Sequence, residues 1–144
     1  MSERGCVRAV RGPDPAAGAE VTIRIPAGVR WRVIGLRLVF VTDATAVNRQ
    51  VDLIIDDRAN VMLWIEPPGL QGANYIWGFN YAPGMPSRAL LRTEYVVPLP
   101  IPTLLGPEWR IRTNTLNIQA GDTFNSVMLW VEEWVDEYTG RAAA

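Results

Sequence analysis

Apolar residues recur at every second position along most of this chain. Gly/Pro corners cut the alternation into short runs, and a period of two is one that β-strands bury on a single face. Val21, Ile23 and Ile25 alternate with Thr22 and Arg24 before Pro26-Ala27-Gly28 turns the chain. From Trp31 to Thr42, Ile34, Leu36, Leu38 and Phe40 share one face with Arg32 at its rim, and Val33, Gly35, Arg37, Val39 and Val41 share the other. Val51, Leu53 and Ile55 lead through the turn-rich Asp56-Asp57-Arg58-Ala59-Asn60 into Val61, Leu63 and Ile65. Tyr75, Trp77, Phe79 and Tyr81 give the next strand an aromatic face, which Ala82-Pro83-Gly84-Met85-Pro86 ends. Tyr95 to Leu99 is extended, and Pro98, Pro100 and Pro102 confine it to an edge or a crossing. Two further runs, Trp109–Thr113 and Leu116–Ile118, precede a turn at Gln119–Asp122. In the long last strand, Val127, Leu129 and Val131 oppose Met128 and Trp130.

With 11 Pro and 12 Gly between these runs, the pattern leaves no room for a helix of about ten residues. It predicts an all-β, antiparallel, jelly-roll-like β-sandwich of about eight strands over residues 20–135. Residues 1–19 read as an N-terminal arm that can hold a short strand near Val7–Val10, and residues 136–144 as a C-terminal tail. Val33, Leu36, Leu38, Phe40, Leu53, Ile55, Leu63, Val127, Leu129 and Val131 are the expected core. Pro26-Ala27-Gly28-Val29-Arg30-Trp31-Arg32-Val33 is echoed by Leu105-Gly106-Pro107-Glu108-Trp109-Arg110-Ile111. Matching corners of two Greek keys would produce such an echo, and two similar strand entries arising by chance explain it nearly as well.

The side chains present narrow the chemistry. All 14 basic residues are Arg, His is absent, Cys6 is the single cysteine, and Ser2, Ser87 and Ser126 are the only serines. A nucleophile therefore lacks its usual base, zinc lacks its Cys/His cluster, and no Gly-rich phosphate loop occurs. No catalytic set, cofactor or metal site is expected. Asp56-Asp57 with Asn60 reads as a hairpin turn; calcium ligation is the rarer use of the same oxygens. Net charge is −1, so no broad positive field favours nucleic acid. The Val33–Val41 run is far short of a bilayer span, and the first residues lack the apolar core of a signal peptide. Expression in the cytoplasm is the resulting expectation.

What remains is binding. The candidate interface residues are Arg49, Tyr75, Trp77, Tyr81, Glu132, Glu133 and Asp136: aromatics and Arg are enriched at interfaces, and the acidic run can meet Arg from a neighbour. Asn48 is expected to bond the loop backbone, and Arg49 a carboxylate of its own or a neighbouring subunit. The aromatic face could alternatively stack sugars, as in a lectin-like module, if its rings were exposed and coplanar.

Ile25-Pro26-Ala27-Gly28-Val29-Arg30-Trp31-Arg32-Val33, then Thr42-Asp43-Ala44 and Asn48-Arg49-Gln50-Val51, resemble the front half of small virion structural proteins of tailed bacteriophages. The back half adds Leu99-Pro100 to Leu105, Asn117-Ile118-Gln119-Ala120-Gly121-Asp122, and Val127-Met128-Leu129-Trp130-Val131-Glu132-Glu133. Leu105-Gly106-Pro107 departs from the Leu-Pro-x-Gly order of that corner. The resemblance spans residues 7 to 134. It implies a jelly-roll-like sandwich in the virion with no catalytic residues. The expected role is capsid decoration on the major capsid protein, ahead of a head–tail neck or tail position. A homo-oligomer is expected, with a trimer favoured by the local threefold points of capsids.

Overall fold

A computed structural model describes residues 4–100 and 104–135. Its strands are β1 (Cys6–Arg11), β2 (Thr22–Arg24), β3 (Val29–Val41), β4 (Gln50–Asp56), β5 (Val61–Ile65), β6 (Ile76–Pro83), β7 (Arg88–Leu91), β8 (Glu94–Leu99), β9 (Leu104–Leu105), β10 (Arg110–Leu116) and β11 (Thr123–Val135). Two sheets result. The larger runs β1-β11-β3-β6-β8-β7 with β9 on β3, and the smaller runs β2-β10-β4-β5.

Without β7 to β9, the two orders reduce to β1-β11-β3-β6 facing β2-β10-β4-β5. That is the double Greek key of an eight-stranded jelly roll. Strands β7, β8 and β9 are an insertion between its sixth and seventh strands, and all three extend the larger sheet. Pairing is antiparallel throughout except between β6 and β8. The exception arises because the chain reverses twice, into β7 and again into β8, and so returns in the direction of β6. Pro98 falls in the part of β8 that pairs with β6 alone, so β8 is an edge there but not along its first half. Strand β7 covers that half through Arg88↔Val96 and Leu91↔Glu94.

The strict alternation expected for β3 is interrupted. Trp130 of β11 faces Gly35 and Val131 faces Val33, so Ile34 is an extra residue. This bulge shifts the phase, and Trp31 and Val33 point inward together with Leu36, Leu38 and Phe40. A second bulge lies in β11, where Ser126 and Val127 occupy the space between Asn125↔Val39 and Met128↔Arg37. Ser126 adopts φ 52°, the left-handed conformation such bulges use. The expected core is buried between the sheets, with Leu63 packed at its margin. Val21, Ile23, Ile25, Trp31, Val51, Phe79, Tyr81, Tyr95, Val97, Leu99, Leu105, Ile111 and Phe124 complete it, and Phe40 stacks on Phe124 with centroids 4.4 Å apart.

The two echoing corners lie side by side. Val29 N donates to Pro26 O at 3.4 Å, and Trp109 N to Gly106 O at 3.3 Å. Ile25 N then donates to Trp109 O at 2.8 Å, and Glu108 N to Ile25 O at 2.9 Å. The sequence echo is thus the pair of corners at which the chain crosses between sheets. At the other terminus of the roll, Cys6–Arg11 is a full edge strand on β11.

Candidate interaction surface

Arg49 precedes β4 and is completely buried. Its Nε donates to Asp122 Oδ2 at 3.0 Å and its Nη2 to Asp122 Oδ1 at 3.1 Å and Asp43 Oδ1 at 2.7 Å. Nη1 donates to Thr45 O at 2.9 Å and Val47 O at 2.7 Å. Those five bonds match the five N–H groups of a guanidinium. Asp122 also accepts from the amides of Asp43 and Gln119, both at 2.8 Å. The hydrogen bonds that Asp43 accepts, from the Thr45 amide first, hold its carboxyl below the usual range. Backbone bonds of 2.8 Å in both directions between Arg49 and Gln71 draw in the β5–β6 connection. Three loops are knotted together here, and Arg49 keeps no donor for a partner. Asn48 contributes its carbonyl, which accepts from Asn117 Nδ2 at 3.1 Å.

The aromatic run passes from solvent to core. Tyr75 is 48% exposed, Trp77 is half-buried, and Phe79 and Tyr81 are buried. Tyr75 leans on Trp77 at 4.6 Å with the planes 30° apart, and Trp77 meets Tyr95 edge-on at 5.6 Å. These rings pack on one another instead of opening as a coplanar platform. Burial pushes the Tyr81 phenol well above its ordinary pKa, and its hydroxyl has no hydrogen-bond partner among the described residues. Tyr81 and Arg49 therefore present no side chain to a partner.

Of the acidic candidates, Glu132 accepts from Arg32 Nε at 3.0 Å. Glu133 accepts from Trp31 Nε1 at 2.7 Å and Arg8 Nη1 at 3.2 Å. Both are tied to their own chain, and Asp136 lies outside the described residues. Asp56 is buried under Arg110 (Nε at 2.8 Å) and Arg112 (Nε at 2.7 Å). Burial alone would raise its carboxyl; the hydrogen bonds from Arg110, Arg112 and the Arg58 amide overcome that and bring it down to about 2. Asp57 Oδ1 caps the hairpin by accepting from the amides of Ala59 at 2.9 Å and Asn60 at 2.6 Å. The two carboxylates thus serve the hairpin and its arginines.

The structure opens a different surface. On the outer face of the larger sheet, Ala9, Trp130 and Gly35 lie side by side across β1, β11 and β3, and Arg11, Met128, Arg37 and Asn80 form the next row. Trp130 is 56% exposed and Met128 41%. A shallow, mostly apolar groove of about 330 Å³ runs between them and Asn80. Gly35 makes the depression: a Cβ there would meet only Tyr81 O, at 3.7 Å. Arg37 reaches Glu94 at 2.6 Å along the groove's rim, over the space that Gly78 leaves free. The signal in the sequence was Met128 and Trp130 alternating against buried Val127, Leu129 and Val131. The notch beside them depends on the bulge at Ile34, which alternation does not foretell.

No protein-family model matches the chain, and a search of curated proteins likewise finds no match.

Proposed function

We propose that this chain is a structural protein of a tailed-bacteriophage particle, a capsid decoration protein that seats the outer face of its larger sheet on the major capsid shell. The observation that carries the reading is the exposed pair Trp130 and Met128 beside the Gly35 groove. Trp, Met and Arg are the residue types enriched where proteins bury one another. The open, shallow shape suits a protein surface better than an enclosed small-molecule pocket. The nearby carboxylates Glu94 and Glu132 are held by Arg37 and Arg32, so burying the face would not strand a lone charge. The virion would be its location, after synthesis in the host cytoplasm. Carbohydrate stacking is the weaker reading, because Tyr75 and Trp77 lean on each other.

A three-dimensional image of the particle, with the chain located by a fused tag, tests this. Density on the outside of the shell at capsomer junctions is expected. Density at the neck or tail, or none in the particle, overturns the decoration role.

A further inference from the structure

The outer face of the smaller sheet carries a second feature. Arg24 of β2 lies directly opposite Arg110 of β10, which lies directly opposite Asp56 of β4. Arg112 shares this face one pleat along, opposite Thr22 and Ile54, and Trp64 of β5 sits opposite Ile54 on the far side. Like charges directly across a strand pair are destabilising, so the Arg24–Arg110 juxtaposition is a cost within the fold. One carboxylate serves the row. Arg110 gives Asp56 its Nε and Nη2, and Arg112 gives it Nε. Among the described residues neither terminal nitrogen of Arg112 makes a hydrogen bond, and Arg24 makes no ion pair or side-chain hydrogen bond. The contrast is Arg49, whose donors are all used inside the chain. At the end of the strip Trp64 is 53% exposed, its ring fixed by a 2.9 Å hydrogen bond from Nε1 to Asp52.

We infer that this strip, Arg24, Arg110, Arg112 and Trp64, is a docking surface for an acidic polypeptide segment, whose carboxylates engage the arginines while an apolar side chain rests on Trp64. Arginine's planar fork matches carboxylates two nitrogens at a time. A phosphate polymer fits less well: the chain's net charge is −1, so the field beyond this strip does not attract an extended polyanion. The inference is independent of the capsid reading, because it concerns a different sheet and only the chemistry of the partner.

Calorimetric titration of the full chain with a capped octaglutamate peptide at low salt tests it. The measurement is repeated with Arg24→Gln, with Trp64→Ala, with Arg88→Gln as an off-strip control, and with a single-stranded oligonucleotide in place of the peptide. Saturable binding is expected that Arg24→Gln weakens about tenfold at a melting temperature equal to or above that of the unaltered chain, while Arg88→Gln leaves it intact. Trp64→Ala should leave octaglutamate binding within about twofold, since that probe has no apolar side chain, and weaken a Glu-rich peptide carrying one Leu. Absence of saturable binding, equal losses in Arg24→Gln and Arg88→Gln, or tighter binding of the oligonucleotide would overturn the inference.

Discussion

Arg49 shows how far a single residue can be read before its neighbours are known. Its place between a polar loop and an apolar strand suggests a bond to a carboxylate of its own or a neighbouring subunit. Nothing near it in sequence pointed to Asp122, 73 residues away, because that meeting depends on the closure of the roll. Replacing Arg49 with Met would leave Asp122 buried and uncompensated, so unfolding free energy should fall by roughly 3 to 5 kcal/mol. Arg49→Lys should recover only part of that, since an ammonium has three donors and cannot fork onto two carboxylates and two carbonyls. Urea titrations followed by circular dichroism measure both; full recovery by Lys would mean that charge alone matters at this site. Asp56 makes a second residue-scale case. Its folded-state pKa is depressed to about 2, so its contribution is complete above the ordinary carboxylate pKa and is lost as pH falls through the range from about 4 to 2. The shift corresponds to about 2 kcal/mol. Melting temperature should therefore drop between pH 4 and pH 2, and Asp56→Asn should show a shallower drop from a lower starting point. Equal slopes in the two proteins would remove Asp56 from the acid response.

At the scale of elements, alternation located the strands but not their irregularities. Ile34, Leu36, Leu38 and Phe40 read as one face, and the bulge at Ile34 transfers that residue off it while admitting Trp31 and Val33. A bulge is set by the partner strand's register, which β3 does not carry in its own sequence. The aromatic strand was legible as a face, yet its gradient from exposed Tyr75 to buried Tyr81 follows from where β6 leaves the sandwich. The insertion β7 to β9 was invisible as such, because proline-rich extended chain looks alike at an edge and under a short covering strand. The phase assignment has a direct test. Leu38→Ala and Leu129→Ala, both in the core, should each cost roughly 2 to 5 kcal/mol. Ile34→Ala, at the half-buried bulge, should cost less than either. An Ile34→Ala loss as large as that of Leu38→Ala would put Ile34 back on the core face.

For the molecule as a whole, the period-two pattern with its Gly/Pro corners carried the fold class, whereas the echo at residues 25–29 and 105–109, which chance explains nearly as well in the sequence, gains meaning only from the corners lying side by side. Surfaces were less legible. Arg49 and the aromatic strand stand out in the sequence as interface candidates, yet folding buries Arg49, Phe79 and Tyr81 inside the chain. The outward positions that remained, Trp130 and Met128 on one sheet and Arg24 and Arg112 on the other, are ordinary in sequence and acquire meaning only from cross-strand neighbours. The central claim is that the larger sheet's outer face docks the chain onto a phage shell. It is tested most directly by sedimenting the full-length chain with purified phage heads that lack it, beside Trp130→Asp, a substitution at an exposed position that leaves the core intact. The account predicts saturable binding by the unaltered chain, at least tenfold weaker binding by Trp130→Asp, and the same melting temperature for both. Failure of the unaltered chain to bind, or equal binding by the two proteins, would contradict it.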